Sequence, residues 1–149
     1  MKLSTRSRYG LRMMLELAKK YKEGPVSVKD ISEVQNISIK YLQQLAIILE
    51  KGGLIKSFRG AYGGYQLTRE PAFIKVKDAV VLLEGNLYLV PCLQDENYCE
   101  RSRDCVTRKL WQEVNDKLLK VLDSYTIQDL VKMEGNGKER TPRSLQEVL

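Results

Sequence analysis

The sequence predicts a mainly α chain with one small β-hairpin, and three observations carry that prediction. Residues Ser38-Ile39-Lys40-Tyr41-Leu42-Gln43-Gln44-Leu45 read as the start of a short helix, followed by two strand-like runs around a basic, glycine-rich tip, Arg59-Gly60-Ala61-Tyr62-Gly63-Gly64-Tyr65. Apolar residues recur at Val106, Leu110, Val114, Leu118, Val121 and Tyr125, a narrow helical stripe about 30 Å long at ~1.5 Å per residue. Charge is unevenly placed: residues 1–69 hold 13 Lys and Arg against 5 Asp and Glu, a balance of +8 in a chain whose net charge is +6. Together these give the layout of a winged helix-turn-helix followed by a long dimerisation helix.

Each element has a local reason. Residues 6–22 place Tyr9, Met13, Leu17 and Tyr21 on one face, with Met14 and Ala18 beside them, and Gly24-Pro25 stops the run. Ser27 with Asp30 reads as a capping box for a second helix through Val34, and Asn36 is suited to a left-handed exit. Ser38 caps the third helix, which runs to Gly52-Gly53. Leu54–Arg59 and Tyr65–Thr68 form the two strands of the wing. Glu70-Pro71 breaks the chain, and 77–83 is a short helix closed by Gly85. Residues 87–104, weakly periodic, read as an ordered loop, and Thr126 with Asp129 caps a last helix to Met133. The expected organisation is a DNA-binding domain over 1–85, a cysteine loop over 86–105, a dimerisation helix and short helix over 106–134, and a disordered polar tail over 135–149.

The basic half carries side chains suited to nucleic acid. Lys40, Gln43 and Gln44 lie near the start of the third helix, the end that enters a major groove, where Gln can pair with adenine through two hydrogen bonds. Arg59 on the wing suits a narrow minor groove. A positive face favours polyanions.

All three cysteines, Cys92, Cys99 and Cys105, fall just before the long helix, in a stretch that also holds Glu100, Arg103 and Asp104. Three cysteines in a polar loop suit an iron-sulfur cluster, a structural zinc ion completed by a carboxylate, or a thiol redox switch, with buried structural cysteines as the remaining alternative. The chain has no histidine, so a fourth ligand is an oxygen donor, an exogenous molecule or a partner-chain residue. An odd cysteine count rules out complete pairing within one chain. With no secretory leader pattern and no apolar run near ~20 residues, a cytoplasmic protein with no membrane contact is expected. No Cys-x-x-Cys pair, histidine base or nucleotide-binding glycine pattern supports a redox enzyme.

Met1-Lys2-Leu3-Ser4-Thr5-Arg6-Ser7-Arg8-Tyr9-Gly10-Leu11, the segment 37–45, the wing 59–65 and Cys105-x-x-x-x-Leu110-Trp111 resemble the Rrf-type winged-helix transcriptional regulators, and within them the IscR-like iron-sulfur cluster regulators. The resemblance covers residues 1 to 133 and is most specific up to 67. It implies a homodimer on double-stranded DNA, at an imperfect palindromic operator, with the long helices crossing at the dimer interface. It carries DNA contacts onto Ser38, Lys40, Tyr41, Gln43 and Gln44 and, in the wing, Arg59 and Gly60, with Thr5 and Arg8 as phosphate anchors. It makes Cys92, Cys99 and Cys105 ligands of a cluster, of the 2Fe-2S type, and genes such as those of cluster biogenesis the targets. The chain departs from the IscR pattern in two ways: Arg108 stands where a histidine ligand is expected, and the first cysteine spacing is one residue longer. Arg8 stands where another branch, NsrR, uses an aspartate. CymR-like members lack the cysteines and act as cofactor-free repressors controlled by a protein partner, and thiol oxidation is a further route to control.

Overall fold

The computed structural model describes residues 2–136. Its elements in order are α1 (Thr5–Lys19), α2 (Val28–Gln35), α3 (Ile39–Lys51), β1 (Ile55–Phe58), β2 (Gly64–Leu67), α4 (Val76–Glu84), α5 (Pro91–Gln94), α6 (Val106–Ser124) and α7 (Ile127–Gly135), with one-turn 3-10 helices at Pro71–Phe73 and Glu96–Tyr98. The fold is mainly α with a two-stranded antiparallel wing, in register Ile55 to Leu67 and Phe58 to Gly64.

One core holds α1 to α4, the wing and the start of α7 together. Met13, Met14 and Leu17 of α1 pack with Leu42, Leu45 and Leu49 of α3, with Ala79, Val80 and Leu83 of α4, and with Ile55, Leu67 and Ile127. All of these are buried, and each large side chain among them contributes on the order of 1.5–3 kcal/mol. Gly10 allows the α1–α4 approach: a Cβ there would lie 2.4 Å from the buried Leu83 side chain. Ser27 and Ser38 accept the backbone N–H groups of Asp30 and Tyr41, capping α2 and α3. Asn36 leaves α2 in the left-handed region, φ 52°.

Several boundaries differ from those the sequence predicts. α1 ends at Lys19, and Tyr21 leaves the helical face while still packing on the core. At Ser27 only the serine half of the capping box forms, whereas Thr126 and Asp129 bond reciprocally and make the whole box. The span 87–104 is not a plain loop. Pro91, favoured in a first helical turn, opens α5, and Asp95 accepts from Asn97 N–H to cap a 3-10 turn. The start of α7 is fixed by two backbone bonds, Val76 N to Tyr125 O and Ile127 N to Ile74 O, both 2.9 Å. α7 continues through Gly135, and residues 137–149 of the expected tail lie outside the described residues.

Candidate nucleic-acid interface and cysteine segment

α3 is amphipathic by construction. Leu42, Leu45, Ala46 and Leu49 are buried, which turns Lys40, Gln43 and Gln44 outward from the first two turns, with Ser38 exposed at the cap. Tyr41 differs from its neighbours: it is half-buried, and its ring meets Tyr9 of α1 edge-on at 5.9 Å and 82°. Its role in the packing is to bridge α1 and α3.

Tyr9 is also the hub for two cations. The guanidinium of Arg8 lies 5.8 Å and that of Arg12 5.2 Å from its ring centre. Arg8 is exposed and donates to the hydroxyl of exposed Thr5 at 3.4 Å, so the two predicted phosphate anchors are neighbours on the outer face of α1. Arg12 donates from Nε to Gln35 Oε1 at 2.7 Å and bonds the Gln35 carbonyl, tying α1 to the end of α2. The hydrogen bond from Gln35 to Glu16 completes the link.

The N-terminus of α1 is held from a distance. Glu84, at the end of α4, accepts from the Ser4 N–H and hydroxyl, both at 2.8 Å, and from the Ser7 hydroxyl. Burial pushes its carboxyl up, but the bonds from Ser7 and Ser4 and the charge of Arg6 outweigh burial and hold it below the ordinary carboxylate value. Sequence reading missed this contact because no local pattern joins residues about eighty positions apart. In the wing, Gly60 sits at φ +106°, Gly63 N–H closes the turn onto Gly60 O at 3.0 Å, and Arg59 and Gly60 are exposed. Tyr65 forms an antiparallel bridge with Val26, anchoring the base of the wing against the entry to α2.

α6 presents its predicted stripe largely uncovered. Val106 is 77% exposed, and Leu110, Trp111 and Val114 are exposed as well, while Leu118 and Val121 are half-buried. The flank beside that stripe carries Asn115, which is buried and accepts the Leu89 N–H at 3.0 Å. That anchor, also missed in the sequence, fixes the chain entering the cysteine segment.

The three cysteines are free thiols placed at separate points: Cys92 in α5, Cys99 after the 3-10 turn, and Cys105 at the N-cap of α6. Among the described residues no group of three Cys, Asp or Glu side chains is arranged to hold a metal ion, so the thiols as placed do not fit a cluster. Hydrogen bonding from Thr107, then the Arg108 backbone N–H, lowers the Cys105 thiol below its ordinary value and outweighs the effect of burial. Arg108 donates from Nε to the Cys92 carbonyl at 3.1 Å and pairs with Glu96 at 3.4 Å, pinning α5 and the 3-10 turn to α6.

The chain as a whole is similar to known proteins. A family profile described as Rrf2, iron-dependent transcriptional regulator, matches residues 3–133. The regulator CymR of Bacillus subtilis is 45% identical over 139 residues, 93% of this chain and 96% of that protein. Its solved structure, described as that of the global cysteine regulator, has a TM-score of 0.75 and covers 89% of this chain and 97% of its own. The structure of T. potens IscR is 40% identical, with a TM-score of 0.76, over 95% of this chain and 93% of its own. The chain belongs to the Rrf2 family of transcriptional regulators.

Proposed function

We propose that this protein acts in the cytoplasm as a homodimeric DNA-binding regulator that places two copies of α3 in successive major grooves of an imperfect palindrome. The observation that carries the reading is the outward face of α3: Lys40, Gln43 and Gln44 are exposed beside a wing bearing Arg59, while the opposite face of the helix is core. Exposed Arg8 and Thr5 supply a phosphate-binding edge on α1. The uncovered apolar stripe of α6 supplies the seam through which a second copy sets half-site spacing. The test is selection of duplexes from a random pool by the full chain, followed by sedimentation. A selected palindrome bound by a dimer is expected; no sequence preference, or binding as a monomer, would overturn the reading.

The finer reading concerns the signal. We infer that the segment 91–105 is the sensory element and that its ligand is an iron-sulfur cluster, 2Fe-2S in type. Support comes from the donor set of three thiols, from the hydrogen bond of Thr107 to the Cys105 thiol, which lowers it from its ordinary value at the start of α6, and from the likeness to IscR. Because the thiols are dispersed as described, this reading requires the segment to repack. The same dispersal, with the 45% identity to CymR, favours a second reading, a cofactor-free repressor controlled by a protein partner or by thiol oxidation. Iron and acid-labile sulfide analysis of anaerobically purified protein separates them. The cluster reading expects both elements in wild type and neither in Cys92→Ala, Cys99→Ala or Cys105→Ala; zinc without sulfide, or no metal, would remove it and leave DNA binding in place.

A further inference from the structure

We propose that Tyr62, at the tip of the wing, enters the DNA minor groove and reads A·T against G·C there. This rests on the DNA-binding reading above and adds to it a specificity-determining residue. Tyr62 is 95% exposed and makes no hydrogen bond or ring contact. The other aromatic side chains of the wing are engaged: Lys56 lies 5.3 Å above the Phe58 ring, and Tyr65 is half-buried against the core.

The exposure is imposed by the turn. Gly60 has φ +106°, which other side chains rarely adopt, and a Cβ on Gly63 would lie 2.3 Å from the Phe58 carbonyl oxygen. At the base, a Cβ on Gly64 would lie 2.1 Å from the Val26 carbonyl oxygen. The hairpin is therefore fixed at both ends of its tip and offers Ala61 and Tyr62 forward, next to exposed Arg59. A minor groove of about 6 Å admits a ring edge-on. At its floor A·T and T·A pairs present only acceptors, adenine N3 and thymine O2, to which the phenol O–H can donate. At a G·C pair the guanine amino group occupies the space the hydroxyl needs. Arg59 alongside supplies attraction to the phosphate-lined groove and brings the ring to it.

The experiment uses a duplex selected by wild-type protein, with the wing-proximal steps located by hydroxyl-radical footprinting. Those steps are then kept as A·T, changed to G·C, or changed to inosine·C, which looks like G·C in the major groove but lacks the minor-groove amino group. Wild type should bind the A·T and inosine·C duplexes alike and the G·C duplex about tenfold more weakly. Tyr62→Ala should bind the A·T duplex about tenfold more weakly and no longer distinguish the three. Tyr62→Phe should keep most of the affinity and lose most of the preference. Arg59→Ala should weaken all three while keeping their order. Unchanged discrimination in Tyr62→Ala, or a loss of equal size on all three duplexes, overturns the proposal with DNA binding intact. Failure of wild type to select any duplex removes the underlying reading and this one with it.

Discussion

The first half of the chain and the cysteine segment are built to different standards. From Ser4 to Leu67, helices are capped, the core side chains are buried, and α3, which turns Lys40, Gln43 and Gln44 outward, is tied to α1 through the contact of Tyr41 with Tyr9. From 91 to 105, Leu93 and Ser102 are the buried side chains, and the Ser102 hydroxyl has no hydrogen-bond partner. A surface that reads DNA gains from being pre-organised, because ordering it at binding subtracts from affinity. If residues 91–105 sense a signal, as proposed above, that segment gains from the opposite, since a sensor must hold two arrangements of similar free energy.

The contrast can be tested first at α6, which follows the cysteine segment and packs on α4 and α5. Replacing Val114 and Leu118 with Glu should place charges in the proposed dimer seam, yield monomers in sedimentation and cut operator affinity on the order of 100-fold, about 2.7 kcal/mol. A dimer that persists and still binds would show that another face makes the seam.

Within the reading half, Gln44→Ala should cost about 1–3 kcal/mol on a matched operator and little on a scrambled one. Arg8→Ala should weaken both alike, because a phosphate contact carries no sequence information. Equal losses on both duplexes for Gln44→Ala would remove that side chain from base readout.

Rigidity at the N-terminus of α1 can be tested through Glu84. Glu84→Ala should lower stability at neutral pH by about 1–2 kcal/mol in urea titrations, since it strips partners from Ser4 and Ser7. The folded carboxyl lies below its ordinary value of 4.5, so its contribution is complete above that pH and is lost as the pH falls through the lower folded value. The gap between wild type and variant should therefore close on acidification. A gap that widens would contradict the assignment.

The smallest effect expected is in the cysteine segment. With its thiol lowered, Cys105 should be alkylated a few-fold faster than Cys99 near neutral pH, and its labelling should persist to lower pH. Peptide mass spectrometry at several pH values reads this directly, and equal rates at all three cysteines would show that the Thr107 and Arg108 contacts do not operate in solution.

Much of the reading half was legible from local pattern, because its determinants are local. Ser27, Asn36 and Ser38 mark helix ends through bonds within a few residues, and the spacing of Leu42, Leu45 and Leu49 fixes which face of α3 is buried and so which residues face out. The apolar stripe of α6 was equally plain, as one period repeated over about five turns. The end of α1 and the short helices within 87–104 were less so, because weak periodicity gives no face to read and turn geometry there depends on single residues such as Pro91 and Asp95.

By itself, then, the sequence determined the order of helices, the wing, the separation of positive charge and the identity of the thiols, all consequences of backbone periodicity and side-chain chemistry. Tertiary structure alone decided that Glu84 holds Ser4 and Ser7, that Asn115 receives Leu89, that Tyr41 spends its ring on Tyr9, and that Arg108 ties α6 to the Cys92 carbonyl. Each of these joins residues from different elements, and such contacts are set by how the elements pack, which no local pattern encodes.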